Sequence, residues 1–151
     1  MLRLYTDGSF SEDSGVGSWA WLLVGDRRSD VGSGGVAAGA THQRMELTAA
    51  VEGLRRVVEG VEVEVVTDSL YLADAMELGL VERWRERGWA SIGHRRAIAH
   101  RDLWLELTRL TARRRVRFSW VKAHSGKDAD PWNVMADHVA KTARRLLEAA
   151  A

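Results

Sequence analysis

Four carboxylates sit in four separate short motifs. They are Asp7 in Tyr5-Thr6-Asp7-Gly8-Ser9, Glu46 in Arg44-Met45-Glu46-Leu47, Asp68 in Val66-Thr67-Asp68-Ser69 and Asp137 in Met135-Ala136-Asp137-His138. Acids so far apart act together only if the fold gathers them. Once gathered they repel: two carboxylates about 4 Å apart cost about 4 kcal/mol at an effective dielectric of about 20. Divalent cations with hard oxygen ligands relieve that repulsion, and Mg²⁺ suits best because it accepts a few carboxylates together with waters and phosphate oxygens. Taken singly, three of the four have ordinary structural readings. Asp7 and Asp68 stand at expected strand ends, where ligands gather in open α/β sheets, yet turns or caps suit them equally, with Asp68-Ser69 capping the next helix. Asp137 fits a first-turn acid favoured by the helix dipole. Glu46 is harder to explain this way, because it shares a helical stripe with Ala50, Gly53 and Val57. A charge on a packed stripe is costly unless it is paired or binds a metal.

The elements that must position these acids follow from periodicity. Residues 2–8 alternate as a strand, with Leu2, Leu4 and Thr6 on one face and Arg3, Tyr5 and Asp7 on the other. Gly8 and residues 11–15 predict a turn, residues 18–24 a buried strand, and residues 28–36, rich in glycine, an edge strand or bulge. Leu47, Ala50, Val51, Leu54 and Val58 predict a helix over 41–59, with Thr41 as N-cap and Gly60 as stop. A strand is expected at 61–66, helical segments near 69–78, 81–87 and 99–113, a fifth strand at 116–120 and a last helix over 133–149. Three strands in succession, followed by strand–helix–strand units, predict a mixed α/β sheet covered by helices, in a single domain spanning residues 1–151.

Composition narrows the function classes. The chain of 151 residues is 46% hydrophobic and 28% charged, with a net charge of +1 and no cysteine. Disulfides, thiolate metal sites and a cysteine nucleophile are therefore excluded. No apolar run reaches membrane-spanning length and no apolar signal region opens the chain. A soluble, cytoplasmic, monomeric protein is expected, with no membrane partner. The overall charge does not announce a nucleic-acid binder, but residues 81–101 carry Arg83, Arg85, Arg87, Arg95, Arg96 and Arg101 against Glu82 and Glu86. Trp84, Trp89, His94 and His100 are interleaved among them. Arginines on phosphates with aromatics beside sugars or bases grip a nucleic-acid backbone. A solvated helix face, with Trp84 in the core, is the competing reading.

The ordered motifs resemble those of type 1 ribonucleases H. The likeness runs through Thr6-Asp7-Gly8-Ser9, Gln43-Arg44-Met45-Glu46-Leu47, Thr67-Asp68-Ser69, Arg87-Gly88-Trp89 and Asp102-Leu103-Trp104. It continues through Trp120-Val121-Lys122-Ala123-His124-Ser125-Gly126 to Asn133 and Ala136-Asp137. The resemblance implies a ribonuclease H-like fold with a five-stranded mixed sheet, its first three strands antiparallel, and a basic handle. It also implies hydrolysis of the RNA strand of an RNA/DNA hybrid to 5′-phosphate and 3′-hydroxyl ends. Asp7, Glu46, Asp68 and Asp137 would hold two Mg²⁺ ions, with Mn²⁺ as a substitute, one ion activating water and the other stabilising the leaving oxygen. His124 matches a loop histidine that assists proton transfer or product release, a role suited to a pKa of about 6.5.

For substrate contact the resemblance implies Thr41, Gln43, Arg83, Trp84, Arg85, Arg87, Trp89, Arg95 and Arg96. Thr41 stands at an anion-attracting helix N-terminus, although an ordinary N-cap explains it equally well. Gln43 and Glu46 match positions that contact RNA 2′-hydroxyls, the groups that distinguish a hybrid from duplex DNA. Leu70, His42, the turn at 11–16 and the long loop at 127–132 depart from the common pattern of the family. These departures bear on substrate stringency rather than on the metal site. Two further readings stay open at this level: a hybrid-binding module that has lost its chemistry, and an integrase- or resolvase-like DNA nuclease.

Overall fold

The computed structural model describes residues 1–91, 93, 96–123 and 126–150. Strands β1 (Leu2–Phe10), β2 (Gly17–Val24), β3 (Ser29–Val36), β4 (Glu62–Thr67) and β5 (Arg115–Trp120) form a five-stranded sheet in the order β3-β2-β1-β4-β5. The pairs β1–β2 and β2–β3 are antiparallel, whereas β1–β4 and β4–β5 are parallel. This is the ribonuclease H-like arrangement that the motifs imply. The helices are α1 (His42–Leu54), α2 (Leu70–Glu77), α3 (Leu80–Glu86), α4 (Arg101–Ala112) and α5 (Pro131–Ala150).

Alternation in β1 divides the core between the two faces of the sheet. Leu4 belongs to a large cluster with Leu47, Val51 and Leu54 of α1 and with Trp104, Leu107 and Leu110 of α4. Tyr5, the next residue, joins Leu22, Val66 and Ala136 beneath α5. A strand buried on both faces reads as a near-continuous apolar run, as β2 does at residues 19–24. The glycines of β3 have a steric cause: a Cβ at Gly32 or Gly34 would stand 2.3 Å from the ring of Trp21 or Trp19. Those indoles lie across the edge strand. At the other edge, Glu77 Oε1 accepts the Phe118 N–H at 2.6 Å, so a side chain occupies part of the open ladder.

Three boundaries differ from the sequence reading. Helix α1 stops at Leu54 rather than continuing to residue 59. The N–H groups of Arg56 and Val57 turn back to Gly53 and Leu54, so the last turn tightens to three-residue spacing and unwinds. Val57 still reaches the core from this turn, but Val58 is exposed. Strand β1 does not end at Asp7, and Gly8 lies within it, paired with Trp19. Asp7 instead marks where the parallel ladder to β4 stops, since Thr6↔Thr67 is the last β1–β4 pair. Finally, α5 begins at Pro131, whose fixed φ suits a helix start, so Asp137 is not a first-turn acid.

Candidate active site

The end of the β1–β4 ladder is where the acids meet. Thr6 and Thr67 are paired, so Asp7 and Asp68, the next residue on each chain, leave the ladder side by side. Ser69 takes the capping role at α2, its Oγ accepting from the Leu72 N–H at 3.2 Å, so Asp68 is not the cap. Glu46 arrives from α1, held there by the buried flank of Met45, Leu47, Ala49 and Ala50. Ligand oxygens of Asp7, Glu46 and Asp68 all lie within 4.8 Å of one another. Asp137 comes from the opposite side, on α5, and lines the same cleft.

A missing side chain makes this approach possible. A Cβ on Gly8 would stand 2.6 Å from the Glu46 nitrogen and 2.7 Å from the Met45 carbonyl carbon. Helix α1 therefore rests directly on the backbone of β1 beside Asp7. Sequence reasoning reads Gly8 as a turn residue and misses this. The available signal is a glycine directly after an acid in an otherwise apolar strand, where glycine often marks close backbone approach.

The electrostatics are those of carboxylates held close together and away from water. Burial pushes the Asp7 carboxyl from 3.8 up to about 7; hydrogen bonding with Glu46 opposes this, and Asp68 and Asp137 repel it further upward. Glu46, 2% exposed, is raised well above the ordinary carboxylate range, first by burial and then by Asp7. His42 Nε2 lies 3.3 Å from Glu46 Oε1. Glu46 Oε2, however, is buried with no hydrogen-bond partner among the described residues. An ionised oxygen in that position calls for a proton or a cation.

The donor set fits a hard divalent ion. Mg²⁺ with oxygen ligands at about 2.1 Å places neighbouring ligands about 3 Å apart and opposite ones about 4 Å apart. Carboxylates converging within 4.8 Å match that scale. The cleft has room for about 390 Å³ and is also lined by Ser9, His42, Lys141 and Arg144. Lys141 Nζ lies 3.0 Å from Asp137 Oδ2. Arg144 donates from Nε to Ser9 Oγ at 2.9 Å and pairs with Glu148. These two cations form a basic wall that no sequence motif marks; their spacing along one face of α5 with Asp137 is the available signal.

The substrate-contact residues separate into several groups. Thr41 is exposed and caps α1, with Oγ1 accepting from the Arg44 N–H at 3.1 Å. Gln43 is exposed beside it. Arg83, Arg85, Arg87 and Arg96 are exposed around α3 and the segment after it. Arg83 donates to the Leu78 carbonyl at 3.3 Å, and Arg85 pairs with Glu82 at 2.7 Å. The two tryptophans are different. Trp89 is 5% exposed and belongs to the main core, so its ring has no surface to offer a nucleic acid. Trp84 is half-buried, with its ring centroid 5.4 Å from Trp104 and 6.4 Å from Tyr71. Both tryptophans anchor the basic segment to the core. His94, Arg95 and His124 lie outside the described residues.

Among the described residues no helix is long and apolar enough to cross a membrane. A profile of the RNase H family matches residues 1–145. The Ribonuclease H of Syntrophomonas wolfei is 38% identical over 146 residues, covering 95% of this chain and 96% of its own length. That of Thermus thermophilus is 41% identical over 140 residues, covering 93% and 81%. Among solved structures, LC9-RNase H1, a type 1 RNase H with the type 2 active-site motif, matches with a TM-score of 0.80 at 26% identity, covering 95% of this chain and 72% of that one. The N-terminal RNase H domain of a Mycobacterium tuberculosis protein matches with a TM-score of 0.73 at 19% identity, over 99% and 98% of the two chains, a likeness of fold. Profile match, long sequence identity and shared architecture agree: the chain belongs to the ribonuclease H family.

Proposed function

We propose that this protein is an endoribonuclease that hydrolyses the RNA strand of RNA/DNA hybrids, acting as a cytoplasmic monomer. One observation carries the reading: three motif acids, from β1, α1 and the link after β4, converge within 4.8 Å, and one of them is buried with an oxygen that has no hydrogen-bond partner among the described residues. A fold gains no stability from assembling such a group, so its retention points to chemistry. Asp7, Glu46, Asp68 and Asp137 would hold the metal, two Mg²⁺ ions with Mn²⁺ as a substitute. Bound there, the ions would supply an activated water and charge stabilisation at the leaving oxygen.

The remaining work falls to the chain's own groups. Lys141 and Arg144, paired with Asp137 and Glu148, would be the cations available to a phosphate entering the cleft. Gln43 is exposed at the first turn of α1, next to His42, which lines the cleft. Arg87 and Arg96, exposed at the end of α3 and in the segment after it, would hold phosphates of the nucleic-acid backbone. In-line attack of water on phosphorus breaks the P–O3′ bond, leaving a 5′-phosphate and a 3′-hydroxyl. The departing O3′ needs a proton, and His124 is suited to carry it.

The test uses labelled RNA presented single-stranded, in RNA duplex and in RNA/DNA hybrid, beside labelled duplex DNA. Each is incubated with Mg²⁺ or chelator, with Asp68→Asn as control. Cleavage confined to the hybrid, requiring metal and lost in the variant, is the expected result. Cleavage of duplex DNA overturns the substrate assignment, and binding without cleavage reduces the protein to a hybrid-binding module.

A further inference from the structure

Trp120 closes β5 opposite Thr67. It is 47% exposed, although its large ring would gain most from burial. Its indole is nonetheless committed: Nε1–H donates to the backbone carbonyl of Asp68 at 3.1 Å. Asp68 is the single residue between the end of β4 and Ser69, the N-cap of α2. The peptides on either side are tied down by neighbours. Val121 N–H donates to the Thr67 carbonyl at 2.9 Å, and Ser69 N–H donates to Thr67 Oγ1 at 3.0 Å. The Leu72 N–H, which could otherwise turn back toward Asp68, is taken by Ser69 Oγ. Trp120 adds the bond to the carbonyl of Asp68 itself.

We infer that Trp120 is a positioning residue: its indole N–H fixes the Asp68 peptide and so holds the Asp68 carboxylate within reach of Asp7 and Glu46. The inference rests on the proposed reading of Asp68 as a metal-holding acid. Partners that orient a ligand without touching the metal commonly matter tenfold to a hundredfold in metal affinity or rate. A misplacement on the order of 1 Å in such a group has a comparable effect. The bond also accounts for a tryptophan left half in solvent at a strand end, where a smaller residue would cover the β4–β5 ladder as well.

Trp120→Phe keeps an aromatic ring, although a smaller one, and deletes the donor. Mg²⁺ binding is followed by ¹⁵N NMR on the protein without substrate, beside steady-state kinetics on the hybrid. In the wild type, the indole cross-peak that the variant lacks shifts with the same midpoint as the Mg²⁺ titration. The variant's Mg²⁺ dissociation constant rises about tenfold and kcat falls by a similar factor. Its KM for the hybrid stays within about twofold, and its melting temperature in chelator stays within about 2 °C. An unchanged Mg²⁺ affinity overturns the inference. So does a raised KM with unchanged kcat, which would make the ring a substrate contact. Asp68→Asn separates the two levels: weakened Mg²⁺ binding there but not in Trp120→Phe confines the failure to Trp120. Unaltered binding in Asp68→Asn removes the site reading itself.

Discussion

Replacing Asp7 by asparagine removes one charge from a cluster whose burial already opposes ionisation. The Asp7 carboxyl is pushed from 3.8 to about 7, with burial the largest cause. In the unfolded chain it ionises near its ordinary value of about 3.9. A raised folded pKa means that the native state keeps a proton that the unfolded state has released. The associated stability is fully present below about pH 4, declines as pH rises, and is lost once pH passes about 7. At about 1.36 kcal/mol per pH interval of one, the gap between 3.8 and about 7 amounts to about 4 kcal/mol. Asp7 and Glu46 titrate as a pair, so that figure belongs to both, and removing one charge recovers about 2 to 4 kcal/mol. Asparagine retains an oxygen for the Gly8 N–H, which Asp7 Oδ1 accepts at 2.9 Å, and adds an amide donor toward Glu46. In chelator at pH 8, Asp7→Asn is therefore expected to melt about 4–16 °C above wild type, from about 2–4 °C per kcal/mol for a domain of this size. The advantage should vanish near pH 4. Mg²⁺ at a hundred times its dissociation constant adds about 2.7 kcal/mol to the wild type and less to the variant, closing the gap. Scanning calorimetry at several pH values, with chelator and with Mg²⁺, reads all of this. A variant that melts at or below wild type at pH 8 in chelator, or an advantage independent of pH, refutes the reasoning.

Two further outcomes follow from the packing and charge around the cleft. Gly8→Ala places a methyl group 2.6 Å from the Glu46 nitrogen, against backbone that cannot step aside. We expect a loss of about 1–3 kcal/mol from overpacking together with at least tenfold weaker Mg²⁺ binding, measured by thermal melts and Mg²⁺ titration; unchanged metal affinity would show that α1 can shift without moving Glu46. Arg87→Ala with Arg96→Ala should weaken hybrid binding and flatten its dependence on log salt by about 0.9 for each phosphate no longer neutralised. Binding isotherms from low to moderate salt measure the slope, and an unaltered slope takes both arginines out of the interface.

What can be read in the sequence is what depends on local pattern. The strand expected at 61–66, the cap at Thr41 and the apolar spacing of α1 each give an element whose type the structure keeps. The four acids stand out because each occurs in an ordered motif, and three of them do converge. The misses share a cause: they depend on packing between elements distant along the chain. Gly8 reads as a turn until α1 is seen lying on it. Trp89 reads as a ligand for nucleic acid because it follows Arg87-Gly88, yet its N–H turns back to the Trp84 carbonyl at 2.7 Å and its ring enters the core. The end of α1 is misplaced because Val58 continues the apolar spacing in sequence, yet the helix unwinds after Leu54, which leaves Val58 exposed and buries Val57 from a tightened turn.

The acids also divide in a way that spacing along the chain does not suggest. Asp7 and Glu46 are set in backbone packing that leaves little freedom: β1 is hydrogen-bonded on both sides up to Thr6, and α1 is pressed onto it at Gly8. Their repulsion is offset by the apolar packing of α1 and β1, so the core holds in place a group that opposes folding. Asp137 stands apart on α5, with Lys141 supplying a positive charge 3.0 Å away. A cation bound in the cleft would compete with Lys141 for that carboxylate, whereas it would meet no such competitor at Glu46 Oε2 among the described residues. The rigid, undercompensated acids are therefore the ones that specify where charge is drawn in. The neutralised one, on a different helix and beside the basic wall, is placed to exchange its lysine for a cation. Were a cation to take that carboxylate, Lys141 would be freed on the same face of α5 as Arg144, at the edge of the cleft.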